Sequence, residues 1–230
     1  SITVEKAIKK VTPDVVRLFM VSMVSLIVMV PLTYIVIGPI STWAGQLLGA
    51  GSNALYELSP VIYGIFMGGF WQVFVMFGLH WGLIPLYINN IATMWFDPII
   101  VPSLGASFAQ IGVVLAVVLK MKSKEEKGLG ISAFITGIFG ITEPAIYGIT
   151  LPRVKPFIFS CIAAAVGGGI IGFFGSLNFV QAGLGVFSLP GVINPEGIDM
   201  GFYGVIIAMI VSFILGFALT FMLYKEEEKK

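Results

Sequence analysis

Glu143 is an acidic residue within an apolar stretch, Gly137-Ile-Phe-Gly-Ile-Thr-Glu-Pro-Ala-Ile-Tyr-Gly148. A charged side chain at membrane depth costs roughly 2.5–3.5 kcal/mol on insertion scales, so such a residue usually marks a functional site. Pro144 follows directly, and the residue before a proline disfavours helix. Glu143 is therefore predicted to lie at a backbone break, where membrane proteins commonly bind substrates or ions. The alternative is that Arg153 or Lys155 neutralises this carboxylate, which would then only stabilise the local structure.

The polar residues of a second apolar region could complete a binding site. His80 is the only histidine, and titratable groups inside membranes tend to mark transport pathways, although a purely structural histidine is the alternative. Its neighbour Trp81 is suited to stacking on a sugar ring. Asn89 and Asn90 have amides suited to hydroxyl recognition, or they could cap a broken helix. Thr142, next to Glu143, could bind a hydroxyl or cap a short helix.

Other chemical classes lack their sequence signatures. No Walker loop, GxGxxG, HExxH or CxxC motif is present, so we expect no nucleotide, cofactor or metal site. Cys161 lies in an apolar segment without the cationic surroundings that activate a thiolate, and it is interpreted as a packing residue. The net charge of +1 gives no support for nucleic-acid binding.

The composition is that of a multi-span membrane protein. Hydrophobic residues make up 57% of the 230 residues, charged residues only 11%, and the mean hydropathy is +1.00. Apolar runs of about 20 residues recur, which predicts an all-α bundle of membrane-spanning helices. Glycines four residues apart at 64 and 68, and again at 168 and 172, have the spacing that favours close helix packing in lipid.

The basic residues predict the topology. They fall in four clusters, at 6–17, 120–127, 153–155 and 225–230, and each is expected to face the cytoplasm. The connections 40–58 and 175–201 contain no lysine or arginine and are expected to face outward. Segments 18–39, 157–174 and 202–224 are then predicted to cross the membrane.

Residues 128–152 lie between two cytoplasmic clusters and are too few to cross twice. The segment has 25 residues, whereas two crossings need about 40. We therefore predict a re-entrant helical hairpin with its tip near Gly140 to Pro144. Pro144 would occupy the first position of a short helix, and Glu143 would cap its positive end.

Two regions are less determined. Between 59 and 119 an odd number of crossings is required. Three apolar pieces are present in this region. Either all three cross the membrane, or one is re-entrant. Residues 1–17 alternate apolar and basic side chains at helical spacing and predict an amphipathic helix on the cytoplasmic surface, with a soluble linker as the alternative.

Two motifs together resemble a known family. The stretch Phe70 to Asn90, with Phe-Gly-Leu-His80, and the stretch Gly137 to Arg153, with Gly-Ile-Thr-Glu-Pro-Ala, resemble the membrane (IIC) component of bacterial phosphotransferase-system sugar permeases. The resemblance covers essentially the whole chain and is strongest to the β-glucoside branch.

This resemblance implies inward sugar transport coupled to phosphorylation, usually on the 6-hydroxyl. The phosphoryl group would come from a phosphocysteine on a cytoplasmic IIB domain, which a IIA domain loads. Glu143 would bind the reacting hydroxyl and take its proton, with His80 in the same site. Arg153 or Lys155 would offset phosphate charge. The complete permease is expected to be a homodimer in the bacterial plasma membrane.

The chain also departs from the family pattern. Gln72 stands where maltose- and glucose-type relatives have a basic residue, so any sugar contact there would be neutral. The chain is shorter than a complete IIC domain and lacks IIB and IIA. It is expected to be the C-terminal, substrate-binding portion, which should not transport alone. Two other functions remain open: a proton-coupled sugar transporter that uses Glu143, and a membrane sensor that does not transport.

Overall fold

The computed structural model of the protein describes residues 17–32, 35 and 38–226. The chain forms two compact units, 1–47 and 48–230. The described part of the chain is helical, with two isolated β-bridges and no strand. The amphipathic helix predicted for 1–17 lies, except for Arg17, outside the described residues. The longer helices are α1 Arg17–Leu32, α2 Gly38–Leu58, α3 Pro60–Met76, α4 Ile84–Met94, α5 Ser103–Lys120, α6 Lys124–Ile138, α7 Lys155–Phe173 and α8 Met200–Leu223.

Three of the described helices are long and apolar enough to cross a bilayer, and they are α5, α7 and α8. The last two match the predicted crossings at 157–174 and 202–224. The described helix within the predicted crossing 18–39 is α1, which has 16 residues and is apolar but shorter than the about 20 residues that a span needs.

Residues 40–58 were predicted to be a connection, and this was wrong, because they belong to helix α2. The segment has glycine at 44, 49 and 51 and no basic residue, which made it resemble a loop. Each glycine costs a helix only about 1 kcal/mol relative to alanine. In a membrane protein that cost is smaller than the cost of leaving backbone groups without hydrogen bonds, and the helix forms.

Between 59 and 119 the chain has a sharp bend. Helix α3 ends at Met76, and the segment Leu79–Met94 leaves it at an angle of 112°. Gly78 makes the bend possible, since its φ of 71° lies in the left-handed region. Helix α4 has 11 residues, about 16 Å at 1.5 Å per residue, so the middle piece does not span a membrane by itself.

The predicted glycine motifs form a helix interface. Gly64 and Gly68 of α3 lie against Gly168 and Ala164 of α7 so closely that an added Cβ would overlap the opposing backbone. Such approach of two backbones is how helices associate where lipid supplies no hydrophobic driving force. Helix α5 packs against both α7 and α8 and is buried along most of its length.

Residues 124–153 form the predicted helical hairpin. Helix α6 enters, Gly140 reverses the chain with a φ of 86°, and residues 143–153, here called the returning arm, lead back. The arm consists of an α-turn Glu143–Ala145, a π-helix Ile146–Thr150 and a 3-10 turn Leu151–Arg153. The two ends meet, because Nη2 of Arg153 lies 3.3 Å from Oε2 of Glu126. Both arms are too short to span, as the charge pattern required.

Candidate functional site

A cavity lies where three breaks in the helical structure come together. Its walls are the bend after α3, the tip of the hairpin and the loop 178–188 between α7 and α8, with one face of α5 behind them. The cavity has a volume of about 210 Å³ and opens to solvent. Polar or aromatic side chains that line it are Trp71, His80, Trp81, Tyr87, Ser103, Ser107, Thr142, Glu143, Asn178, Gln181 and Ser188.

Glu143 lies at the start of the returning arm and lines the cavity. The short helix begins at Glu143 itself, so Thr142 is the capping residue, one position earlier than predicted. Thr142 is buried, and its hydroxyl makes no capping hydrogen bond. Within the described residues Glu143 forms no salt bridge, which does not favour the alternative that Arg153 or Lys155 neutralises it. Its exposed carboxylate faces a space large enough for a ligand.

The π-helix holds the returning arm in place behind Glu143. The hydroxyl of Thr150 donates to the carbonyl of Ala145 at 3.3 Å and accepts from Nε2 of Gln110 at 2.6 Å. The hydroxyl of Tyr147 donates to the carbonyl of Met76 at 2.9 Å, which joins the arm to the end of α3. π-Helical turns occur frequently at functional sites. This one connects the hairpin to the spanning helix α5 and to the end of α3.

His80 and Trp81 lie in the 3-10 turn that follows the bend. The imidazole ring contacts Trp71 edge-on, with ring centroids 6.0 Å apart, and lies 5.4 Å from the ring of Trp81. Trp81 is 68% exposed, so its ring is free to stack on a ligand. The structure therefore brings together four of the predicted site residues, the pair His80 and Trp81 and the pair Thr142 and Glu143.

The loop 178–188 supplies residues that the sequence reasoning missed. Asn178, Gln181 and Ser188 line the cavity from this side. The backbone of Gly185 lies against that of Gly140 at the hairpin tip, and the ring of Phe187 stacks on Phe139 with centroids 5.5 Å apart. The available signal was a run of glycine, asparagine and glutamine between two apolar spans.

Helix α5 contributes two further residues to the cavity that were not predicted. Ser103 and Ser107 are one turn apart and therefore project from the same face of the helix. Serines with this spacing in an otherwise apolar span were the signal that could have identified them.

Three predicted substrate ligands do not line the cavity. Gln72 is fully buried, and its Nε2 donates to the carbonyl of Ala106 at 2.8 Å. Asn90 is buried and donates to Oδ1 of Asp97 at 2.8 Å. Asn89 is exposed outside the cavity. The amide NH₂ groups of Gln72 and Asn90 thus find their hydrogen-bond acceptors within the protein.

Arg153 and Lys155 also lie outside the cavity. Arg153 forms a bidentate pair with Glu226, in which Nη2 donates to Oε1 at 2.6 Å and Nε donates to Oε2 at 3.1 Å. This carboxylate raises the pKa of Arg153 above its ordinary value, so the guanidinium stays charged. Lys155 is exposed at the start of α7. No group of three or more histidine, cysteine or acidic residues with the geometry of a metal site occurs among the described residues.

The family model "Phosphotransferase system, EIIC" matches residues 2–165. A β-glucoside-specific EIIBCA component from Halalkalibacterium halodurans is 58% identical over 207 residues, which cover 90% of this chain and 32% of the relative. A protein of the same description from Dickeya chrysanthemi is 38% identical, covering 93% of this chain and 34% of the relative.

More distant relatives bear a different sugar in their name. An N-acetylmuramic acid-specific EIIBC component from Vibrio vulnificus is 32% identical, covering 95% of this chain and 46% of the relative. The chain thus spans between a third and a half of the length of these relatives. No solved structure matches significantly. The family match covers most of the chain and includes both motifs that line the cavity, and this chain belongs to the phosphotransferase-system EIIC family of membrane permeases.

Proposed function

We propose that this chain forms the sugar-binding part of a phosphotransferase-system permease for a β-glucoside in a bacterial plasma membrane. The observation that carries the proposal is that one cavity brings together Glu143 and His80, which are 63 positions apart in the sequence. An aromatic ring and several hydroxyl and amide groups line the same space, as sugar recognition requires. The two relatives named for β-glucosides, at 58% and 38% identity, support this class of sugar.

In the proposed reaction the sugar lies between Trp81 and the hairpin tip, with one hydroxyl directed at Glu143. The carboxylate takes the proton of this hydroxyl as its oxygen attacks phosphorus. The new oxygen–phosphorus bond forms while the sulfur–phosphorus bond of a phosphocysteine on a IIB domain breaks, and the cysteine leaves as a thiolate. Glu143 is suited to this role because no cation among the described residues pairs with it.

Partner domains are part of the proposal. The two relatives named for β-glucosides are EIIBCA components, so their chains combine this membrane part with IIB and IIA domains. Of the two residues predicted for the phosphate side, Lys155 is exposed and available, whereas Glu226 and Glu126 engage Arg153. We assign Lys155 the contact with the incoming phosphoryl group and Arg153 the closure of the hairpin. We further propose that the complete permease is a homodimer.

The test uses the complete permease in membrane vesicles with purified phosphoryl donors and a panel of radiolabelled sugars. We expect a β-glucoside to give a labelled sugar phosphate. The variant Glu143→Gln keeps the shape of the side chain but cannot take a proton. We expect it to lower kcat about 10²–10⁴-fold, while sugar binding partly survives. The matched control is Glu196→Gln, which changes an exposed carboxylate that does not line the cavity and should leave kcat unchanged.

The same experiment separates the competing functions. Accumulation of free sugar that depends on a proton gradient would support a proton-coupled transporter instead. Absence of both transport and phosphorylation, with a response of a partner protein to sugar, would support a sensor. Normal sugar phosphate formation by Glu143→Gln would remove Glu143 from the mechanism. Phosphorylation of N-acetylmuramic acid in place of β-glucosides would overturn the assigned sugar class.

A further inference from the structure

Most of one wall of the cavity is a loop, residues 178–184, which leads into the 3-10 helix Gly185–Val192. Asn178, Gln181 and residues 182–185 line the cavity within the loop that connects α7 and α8. At its far end the loop touches the hairpin tip, where Gly185 packs on Gly140. Loops of this kind keep a fixed shape only when other parts of the fold hold their backbone. The position of Asn178 and Gln181 therefore depends on what anchors the near end of the loop.

The near end of the loop is anchored at Asp97. The backbone N–H of Asp97 donates to the carbonyl of Asn178 at 2.7 Å, and the N–H of Asn178 donates to the carbonyl of Asp97 at 2.9 Å. These two hydrogen bonds form a short antiparallel bridge between segments 81 residues apart. A weaker attachment follows, in which the hydroxyl of Tyr87 donates to the carbonyl of Val180 at 3.4 Å.

The side chain of Asp97 is fully buried and fixes the backbone that forms this bridge. Its Oδ2 accepts from the N–H groups of Ile99 and Ile100 at 3.1 and 2.9 Å, and its Oδ1 accepts from Asn90 at 2.8 Å. A buried carboxylate is costly unless hydrogen bonds satisfy it, and here three donors do so. The carboxylate thereby holds the corner between α4 and α5 in one conformation.

We propose that Asp97 is a positioning residue for sugar recognition, although it does not line the cavity. Its carboxylate fixes the corner at 95–100, the corner holds Asn178 through the backbone bridge, and the bridge keeps Asn178 and Gln181 directed at the sugar. This inference rests on the proposed function, since it assigns the loop to the binding of that same sugar. Asn90, predicted as a sugar ligand, acts through Asp97 instead.

The proposal distinguishes two substitutions at Asp97. Alanine removes all three acceptor contacts and leaves the N–H groups of Ile99 and Ile100 without partners. Asparagine keeps one oxygen for these N–H groups and turns its own NH₂ toward Asn90, whose amide can rotate to accept. We therefore expect Asp97→Asn to behave nearly like the parent protein and Asp97→Ala to release the loop.

The experiment measures sugar phosphorylation by the complete permease and, separately, hydrogen–deuterium exchange of purified permease without sugar. For Asp97→Ala we expect KM for the β-glucoside to rise at least about tenfold. The value of kcat per folded protein should stay within about twofold of the parent. We also expect exchange of residues 178–185 to accelerate at least about tenfold while the spanning helices are unaffected. For Asp97→Asn both quantities should stay within about 1.5-fold of the parent, below the shift that would indicate a released loop.

Asp199 provides the matched control, because it accepts hydrogen bonds from the side chain of Asn194 and the N–H of Phe202, both at 3.0 Å, but lies outside the cavity. Asp199→Ala should leave KM and exchange at 178–185 unchanged. If Asp97→Ala does not fold, Asn90→Ala replaces it, since it removes one donor and should shift both readouts the same way by about threefold.

Unchanged KM and unchanged exchange in Asp97→Ala, or in Asn90→Ala where it replaces that variant, would overturn the proposal. So would faster exchange that is spread evenly over the protein. Equal impairment of Asp97→Asn and Asp97→Ala would also overturn it. A parent permease that phosphorylates no sugar refutes the proposed function, and the exchange experiment still decides whether Asp97 holds the loop.

Discussion

Substitution of Gly168 by alanine tests whether contact between the backbones of α3 and α7 holds the fold together. A Cβ at Gly168 would lie 1.9 Å from the carbonyl oxygen of Gly64 and 3.1 Å from Cα of Gly68. The helices would have to separate by about 1 Å to relieve this overlap. Because the obstacle is backbone and not the end of a flexible side chain, the neighbouring atoms cannot rotate away.

The expected cost follows from two opposing contributions. Overpacking of a tight core costs about 1–3 kcal/mol, and the rigid obstacle places this case at the upper end. Alanine in place of glycine favours the helix by about 1 kcal/mol. The net destabilisation of Gly168→Ala is therefore about 2 kcal/mol, which corresponds to a Tm lower by about 4–8 °C.

The assay is thermal unfolding of the detergent-purified permease, and Gly128→Ala is the matched control. Gly128 lies in α6, is exposed, and has open space where a Cβ would be added. This variant should keep or raise Tm, by up to about 4 °C, since only the helix propensity changes. A Gly168→Ala protein as stable as the parent would refute the interpretation that this interface depends on the absence of a side chain.

Two further predictions concern charged groups at the ends of the helices. Arg153→Lys keeps the charge but loses the bidentate contact with Glu226, and we expect about 1–2 kcal/mol lower stability in the same unfolding assay; an unchanged Tm would contradict it. The side chain of Asn194 and the N–H of Phe202 lower the pKa of Asp199 below its ordinary 3.8. The stability that this carboxylate provides is present above that pH and is lost as pH falls through the folded-state pKa, so the parent should lose more stability than Asp199→Asn between pH about 6 and about 3. Equal losses in denaturation experiments at the two pH values would contradict this prediction.

The sequence predicted those features that depend on charge and on residue spacing. The basic clusters beside residues 128–152 left too few residues for two crossings, and the structure has a hairpin whose ends meet at Glu126 and Arg153. The glycine pairs at 64/68 and 168/172 predicted close packing, and their backbones are in contact. These sequence patterns predict the structure because each reflects one physical constraint that acts along a single segment.

Polar groups whose hydrogen-bond partners lie in another part of the fold were the hardest to assign from the sequence. Gln72 and Asn90 looked like sugar ligands because amides are rare in apolar helices, but their partners are Ala106 and Asp97. A buried amide needs a hydrogen bond whether the partner is ligand or protein, and residue type alone does not distinguish the two. Asp97, which no sequence motif singled out as a site residue, forms a backbone bridge to Asn178, 81 residues away.

The position of the cavity follows from the need of membrane proteins to hydrogen-bond their backbone N–H and C=O groups internally. In a continuous helix the backbone N–H and C=O groups hydrogen-bond to one another, so few polar groups are left to contact a sugar. Polar surface at membrane depth therefore requires interruptions, and three of them in the described residues surround this cavity: the bend at Gly78, the reversal at Gly140 and the loop at 178–185. Each interruption alone would leave backbone groups poorly satisfied. Brought together, they support one another through the contact of Gly185 with Gly140 and the bridge from Asp97. A permease that binds sugar inside the membrane is thus expected to concentrate its breaks at one place, and Glu143 lies at that place.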